Sequence, residues 1–425
     1  MRRLRDVREH QNALKRKAIA EQEKKIQQKV NERSRKARER VVQKNAARLG
    51  TNRTIIRESE ASSPFEISFL PFDTYRYLSN TKLNICHVID SLGIGGGQTM
   101  MMELVRALDT YYGPHVQNYV VCPKTGHIRY DKLFYSSYGI TPIVFKERDL
   151  KTFLGDNHIN ILLHHRLVSS KCFRHYVPAG CKYVLMNHTY NQLDKVPEFI
   201  LCDFYVSVCD YLHHKTHWPE SIHPSRRIAV LNGVENDYIA GIPPYDLEGQ
   251  FKTGRCHRLA SGKFQLDSLN WLEDKVRLII PGHKHYLLGH NKQAETFCKH
   301  SQSCHYFGEM LNRGIKMSII KALDVYFYET NQQEGASIAV LESLACAVPV
   351  LCLNYGGNKE LIKDGVNGYI VKDRKAFLAR MAELNSNREK LEQLKKSTLE
   401  DFNNRLHVRH TACKYFQIFD RLING

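Results

Sequence analysis

The sequence lacks any apolar run approaching the roughly 20 residues that a membrane-spanning helix needs. Its basic N-terminus is not followed by the apolar stretch of a secretion signal, so we expect a cytoplasmic protein, free or peripheral at a membrane. The 12 cysteines include no CxxC pair and no regular spacing. This pattern is typical of reduced, packed thiols and excludes the disulfide framework of a small secreted protein.

Familiar zinc spacings are also missing. Histidines cluster at His283, His285 and His290 and again within 298–305, but neither cluster has the ligand spacing of a known zinc site. We therefore expect no metal.

Positive charge is concentrated in the N-terminal tail. Residues 1–60 carry 19 Lys and Arg against 8 Asp and Glu, so this segment holds +11 of the net charge of +18. Its composition favours a helix, although its few apolar residues recur irregularly. The tail could remain solvated or disordered, pair in a coiled coil, lie on anionic lipid, or follow a nucleic-acid backbone.

Strand and helix patterns alternate through the rest of the chain. Between 81 and 240, strand-like segments separated by helical ones predict a parallel, doubly wound α/β sheet. A linker is expected at 241–248, which contains adjacent prolines, and a second α/β domain at 249–400. Within it we predict a first strand near Gly254–Leu259. Segment 61–80 is a lead-in without an assigned structure.

A glycine-rich turn follows the first predicted strand. Gly95, Gly96 and Gly97 lead into a helix predicted at Thr99–Leu108, and such glycines allow the backbone to approach a phosphate or sugar closely. Their spacing differs from the dinucleotide fingerprint, and no acidic residue stands clearly at the end of the second strand. A nicotinamide cofactor is therefore not expected. The same turn could equally serve only the chain reversal.

Two carboxylates flank and interrupt an otherwise apolar helix at 334–350. Ile338, Leu341 and Leu344 recur at helical spacing, which places Glu342 on or beside a packed face. A carboxylate in such a place needs partners, and the hydroxyls of a sugar or ribose are suitable ones. Glu334 lies just before the helix, whose first backbone N–H groups are open to an anion.

This helix, with Gly356–Ile362 and Asp364–Tyr369 behind it, resembles the C-terminal signature of the retaining glycosyltransferases of family 4. The resemblance extends over about residues 82–422 and implies further strands at Ile279–Gly282 and Leu323–Tyr328 in the second domain. It implies the GT-B fold, in which two Rossmann-like doubly wound domains face each other across a cleft. Segment 81–240 would be the acceptor-side domain and 249–400 the nucleotide-sugar-binding domain. Residues 401–425 would form a helix that crosses back to the first domain.

The resemblance also assigns roles to single residues. The catalytic group would comprise His188, near the reacting sugar, with Arg258, Lys263 and Glu334. Thr189 stands where the family often has Asp. Gly95, Gly96 and Gly97 would lie on the acceptor side of the cleft. The donor-binding residues implied are Arg258 and Lys263 for the diphosphate, Glu334 for the sugar, Glu342 for the ribose, and Gly335, Ala336, Ser337, Ile338 and Ala339 as backbone donors.

The activity implied is a metal-independent, retaining hexosyl transfer from a nucleotide-diphosphate sugar, with UDP as the expected nucleotide and no cofactor. The acceptor is expected to be a saccharide or a lipid-linked saccharide, with the basic tail touching anionic lipid. Two alternatives stay open. One is transfer to a modified base of DNA, with the tail following phosphates, and the other is a non-catalytic or isomerising GT-B protein, such as a sugar-nucleotide epimerase or a pseudoenzyme.

Overall fold

The computed structural model describes residues 68–75, 81–123, 132–166, 172–189, 201–257, 259, 263–330 and 334–425. The basic tail, most of the lead-in and Arg258 lie outside this range. Among the helices described, none combines the length and the hydrophobicity that crossing a bilayer requires.

The first domain is built on a seven-stranded parallel sheet with the strand order β3-β2-β1-β4-β5-β6-β7. The order reverses between β1 and β4, which is the arrangement of a doubly wound sheet. Its strands are β1 (Leu83–Val88), β2 (Val116–Pro123), β3 (Ile143–Phe145), β4 (Ile161–Arg166), β5 (Lys182–Asn187), β6 (Phe204–Ser207) and β7 (Arg227–Ala229). The described α-helices here are α1 (Phe72–Tyr75), α2 (Gly96–Tyr112), α3 (Lys132–Ser137), α4 (Leu150–Asp156) and α5 (Asp210–Lys215).

The second domain has a six-stranded parallel sheet with the order β10-β9-β8-β11-β12-β13. Its strands are β8 (Phe251–Cys256), β9 (His283–Leu288), β10 (Cys304–Gly308), β11 (Val325–Tyr328), β12 (Val350–Leu353) and β13 (Gly368–Val371). Its helices are α6 (Leu266–Trp271), continued by a π-helical turn (Leu272–Val276) and α7 (Arg277–Ile279), then α8 (Lys292–Cys298), α9 (Arg313–Lys321), α10 (Ile338–Ala345), α11 (Asn358–Leu361), α12 (Arg374–Ser386), α13 (Arg388–Arg405) and α14 (Val408–Asn424). The two parallel-sheet α/β domains confirm the predicted fold class.

One predicted strand is wrong. The resemblance placed segment Ile279–Gly282 in the sheet, but Ile279 ends α7 and is 58% exposed. The strand begins at His283 instead, where Tyr286, Leu287 and Leu288 are buried. A short apolar run does not by itself distinguish the end of a helix from a strand.

The carboxyl ends of the two sheets face each other, as in GT-B proteins. The N-terminus of α2 approaches that of α10, since a methyl group built on Gly96 would lie 3.6 Å from Ile338 Cγ1. At the other contact, the Glu360 carboxylate of the second domain accepts hydrogen bonds from the backbone N–H groups of Asp210 (2.9 Å) and Tyr211 (2.6 Å) in the first. Loops at the carboxyl ends of parallel strands therefore line the space between the domains.

The last helix, α14, packs on the first domain. The rings of Tyr112 in α2 and Phe416 in α14 stack with centroids 4.2 Å apart. Gln417 exchanges hydrogen bonds with the backbone of Leu70, which fixes the described part of the lead-in on the same helix. The largest hydrophobic core consequently runs through both domains and α14.

A buried histidine precedes α14 and lies beside two carboxylates. His407 Nε2 lies 3.0 Å from Glu235 Oε1 and 3.7 Å from Asp237 Oδ1. Burial alone would lower the pKa of His407, but its bonds to Asp237 and Glu235 outweigh burial and raise the pKa to about 9. These three side chains present ligand-type atoms within 4.8 Å of one another, and the ion pair accounts for the arrangement.

We expect the protein to lose stability between about pH 6.5 and pH 9. A histidine whose folded-state pKa is raised stabilises the protein fully below its unfolded pKa, and that contribution disappears as the pH rises through the folded pKa. The loss should be on the order of 3 kcal/mol. Thermal unfolding of the wild type should show a falling melting temperature across this window, and His407→Gln should flatten it. An equal slope in both proteins would contradict the assignment.

Candidate functional site

Two of the predicted site residues meet between the sheets. Lys263 follows β8 and Glu334 precedes α10, and their side chains form an ion pair. The Tyr328 hydroxyl, at the end of β11, donates to the same carboxylate and accepts a hydrogen bond of 3.2 Å from Ser337 Oγ. The Lys263 side chain is 35% exposed and that of Glu334 is 12% exposed, so a ligand can reach the pair from the cleft.

Sequence reasoning missed Arg255, which joins the two loops that carry this pair. Its guanidinium is buried in β8, and Nη2 donates to the backbone carbonyls of Lys263 and Glu329, both at 2.9 Å. Nε donates to His257 Nε2 at 2.7 Å. An arginine within a predicted strand is visible in the sequence, but its carbonyl partners are not.

The backbone behind Glu334 is held by a glycine in a left-handed conformation. Gly356 has φ +61°, and a Cβ there would lie 2.2 Å from the Glu334 carbonyl oxygen. The N–H of Gly357 donates to that oxygen at 2.8 Å. The neighbouring Gly335 lies against α5, since its Cβ would meet Leu212 Cδ1 at 2.5 Å. Both loops therefore need glycine to approach so closely.

Helix α10 starts four residues after Glu334, at Ile338. Its N-terminal cap, Ser337, makes no side-chain capping bond, so the first-turn N–H groups have no partner in that side chain. Of the predicted backbone donors Gly335 to Ala339, Ile338 approaches Gly96 of the first domain, because a Cβ on Gly96 would lie 3.6 Å from Ile338 Cγ1.

Glu342 is buried and has a protein partner. Its Oε1 pairs with Lys316 Nζ of α9 at 2.5 Å, and both side chains are almost fully enclosed. Burial would lower the pKa of Lys316, but the carboxylate outweighs it and raises the pKa. Glu342 was expected to need a partner on its packed face, and Lys316 of the same domain is that partner.

The remaining predicted residues lie on the first domain or outside the described range. Gly95 precedes α2, and Gly96 and Gly97 begin it at the carboxyl end of β1. His188 follows β5 at the same edge of the sheet. Of the pair expected on the diphosphate, Lys263 is placed beside Glu334, whereas Arg258 is not described. His283 and His285 both lie 2.8 Å from the Thr253 hydroxyl inside the second sheet.

The second domain is similar in sequence to a known protein family. Residues 265–401 match the family model of glycosyl transferases group 1. The chain is 28% identical over 160 residues to a glycosyltransferase of Methanocaldococcus jannaschii, covering 36% of this chain and 39% of that relative. It is 29% identical over 101 residues to spore coat protein SA of Bacillus subtilis, covering 23% and 27% respectively. The matches thus span well under half the length of these relatives.

Solved structures show the same fold over most of the chain. A glycosyltransferase of Rickettsia africae superimposes with a TM-score of 0.63 at 14% identity, covering 81% of this chain and all of that one. Anabaena Alr3699/HepE in complex with UDP and glucose gives a TM-score of 0.58 at 12% identity, covering 79% and 99%. These likenesses show the GT-B fold, and the family match, which covers about a third of the chain, lies in the second domain.

Proposed function

We propose that this chain, with its group 1 glycosyl transferase domain, is a retaining glycosyltransferase of family 4 that transfers a hexose from a UDP-sugar to an acceptor hydroxyl. The observation that carries the proposal is the Lys263–Glu334 pair, which lies at the carboxyl edge of the second sheet, just before the helix whose Ile338 approaches Gly96 of the first domain. Complexes of a structural neighbour with UDP and glucose support the choice of donor.

The pair has the chemistry that a nucleotide-sugar donor needs. The Lys263 ammonium forms an ion pair with Glu334. A donor diphosphate would take over Lys263, and Glu334 would then accept hydrogen bonds from the sugar hydroxyls. Glu342, with Oε1 on Lys316, would offer Oε2 to the ribose. A fixed cation at the diphosphate stabilises the charge that grows on the leaving nucleotide.

The acceptor would enter from the glycine turn at Gly95–Gly97. Its hydroxyl would attack from the face that the nucleotide leaves, and the departing phosphate would take the hydroxyl proton, so the anomeric configuration is retained. His188 would lie on this side of the sugar. Lys263 and Arg258 would supply the positive charge at the diphosphate, so the transfer should proceed without a divalent metal.

We expect Gly356→Ala to lower kcat/KM for the donor at least tenfold. The added Cβ would overlap the Glu334 carbonyl and displace this loop, and small displacements of positioning groups are costly. Gly365→Ala is the matched control, because Gly365 has φ +74° but no atom within 4 Å of its Cβ. It should lose only about 1 kcal/mol of stability. Equal donor kinetics in the two variants would show that the Glu334 loop does not depend on Gly356.

The proposal is tested by incubating the full chain with a panel of nucleotide sugars and following nucleotide release, with EDTA present. Parallel reactions contain oligosaccharides, anionic lipid vesicles or duplex DNA with modified bases. We expect UDP release from one donor and faster release with a saccharide or lipid-linked saccharide. Stimulation by modified DNA alone would indicate that the acceptor is a modified base of DNA. Absence of nucleotide release from every donor would contradict the proposed glycosyltransferase activity.

A further inference from the structure

Four polar side chains form a diagonal row across one face of the first sheet. Each step moves to the neighbouring strand and two residues further towards its carboxyl end. The members are Asn118 in β2, His87 in β1, His165 in β4 and His188 just after β5. The step follows from the register, which pairs Asn118 with Ile85, His87 with Leu163, and His165 with Met186. Since side chains alternate between faces of a strand, all four lie on the same side.

These side chains form a continuous chain of hydrogen bonds. Asn118 Oδ1 lies 2.9 Å from His87 Nε2, His87 Nδ1 lies 3.1 Å from His165 Nε2, and His165 Nδ1 lies 3.3 Å from His188 Nε2. The rings are nearly parallel, with interplanar angles of 26° and 20°. His87 and His165 are fully buried, and His188 is partly exposed at the carboxyl edge. The row therefore connects the middle of the sheet to the cleft.

A carboxylate at the far end fixes the direction of the row. Asn118 Nδ2 lies 2.7 Å from Asp109 Oδ1, on the outside of α2. An ionised carboxylate only accepts hydrogen bonds, so the amide must point its NH₂ group at Asp109 and its oxygen at His87. The opposite orientation would bring two oxygens together at this distance.

The donor–acceptor direction of this first hydrogen bond determines that of each following one. A neutral imidazole has one donor and one acceptor nitrogen, so His87 donates from Nε2 to Asn118 and accepts at Nδ1. The same rule makes His165 donate from Nε2 to His87, and His188 donate from Nε2 to His165. Burial disfavours the imidazolium form and lowers the pKa of His87 to about 4 and that of His188 to about 3, so the rings stay neutral at ordinary pH. Burial lowers the pKa of His165 as well.

We propose that Asp109, acting through Asn118, His87 and His165, is a positioning residue that fixes the tautomer of His188 and presents an unprotonated Nδ1 to the cleft. The proposed function places the donor sugar beside His188, so the fixed tautomer makes this Nδ1 the acceptor for one of its hydroxyls. Asp109 lies four hydrogen bonds away from His188 and thereby determines that the hydroxyl must donate to this ring.

The tautomers can be read directly from long-range ¹H–¹⁵N NMR spectra of the ¹⁵N-labelled full chain, with His188 identified by the signal lost in His188→Gln. We expect the Nε2–H form at His87, His165 and His188. In Asp109→Ala the amide is free to turn, so the ratio of the two tautomers of His188 should shift by about tenfold towards Nδ1–H. His87→Phe, which interrupts the row, should have a similar effect. Asp156→Ala, an exposed aspartate of the same domain, is the control and should leave the spectrum unchanged.

An Nδ1–H form of His188 in the wild type would overturn the proposal, and so would an unchanged His188 tautomer in both Asp109→Ala and His87→Phe. The contact between His188 Nδ1 and the sugar is tested by adding UDP-glucose, UDP-N-acetylglucosamine or UDP alone. A sugar nucleotide should shift the His188 Nδ1 resonance towards that of a hydrogen-bonded acceptor, whereas UDP should not. Equal shifts would contradict the sugar contact. If neither sugar nucleotide binds, the proposed function fails, while the tautomer result in the free protein still decides the role of Asp109.

Discussion

Replacement of Lys263 by methionine should lower kcat for sugar transfer by about 100-fold or more, because it removes a fixed cation from the leaving diphosphate. The side chain is about one-third exposed and lies at the cleft, so its loss should affect the reaction far more than the fold. Methionine keeps the length of the stem and removes only the charge. Initial rates at saturating donor, together with the donor KM, measure the effect.

Lys299→Met is the matched control for this variant. Lys299 pairs with Glu295 on the surface of α8 and its side chain is 64% exposed, so its removal should leave kcat unchanged. Thermal melts of the two variants should agree within a few degrees, because exposed ion pairs add little stability. If Lys263→Met retained wild-type kcat and donor KM, Lys263 would not touch the diphosphate.

The ion pair between Glu103 and Arg313 should be the most costly one to break. Glu103 lies in α2 of the first domain and Arg313 begins α9 of the second, and both side chains are almost fully buried. The Arg313 guanidinium also lies 3.9 Å from the ring centroid of Tyr238 and 4.5 Å from that of Tyr138. Burial would lower the pKa of Arg313, but Glu103 outweighs it and raises the pKa.

Arg313→Met should therefore reduce the free energy of unfolding by about 3–5 kcal/mol, since it leaves Glu103 buried without its counter-ion. The double variant Glu103→Leu/Arg313→Met should recover most of that loss, because an apolar pair carries no desolvation cost. Urea unfolding, followed by fluorescence and circular dichroism together, measures both. Arg380→Met, which breaks an exposed pair with Glu383, serves as control and should cost at most about 1 kcal/mol. A cost equally small for Arg313→Met would mean that the pair does not hold the domains together.

The sequence was sufficient to predict the fold because parallel strands are buried on both faces and read as short apolar runs between helical patterns. Segment Leu323–Tyr328 contains strand β11 as expected, and the glycine turn at Gly95–Gly97 leads into a helix as expected. The error at Ile279–Gly282 arose where a helix ends in β-branched residues. The boundary was lost because Leu278 and Ile279 are apolar yet exposed.

The candidate site was only partly predictable, because its contacts join residues far apart in the chain. The proximity of Lys263 and Glu334 depends on β8 and β11 being neighbours, an order that no local pattern reveals. Lys316 as the partner of Glu342 likewise requires the packing of α9 on α10. The histidine row is the clearest case, because His87, His165 and His188 align only when the strand order and register are known.

The most direct test of the central claim, that the cleft binds a nucleotide sugar through Lys263 and Glu334, is calorimetric titration of UDP into the wild type and into Lys263→Met. We expect the wild type to bind UDP at one site and the variant to bind it at least tenfold more weakly, because a charge-assisted contact to the diphosphate is lost. Equal affinity in the two proteins, or no binding by the wild type, would contradict the claim.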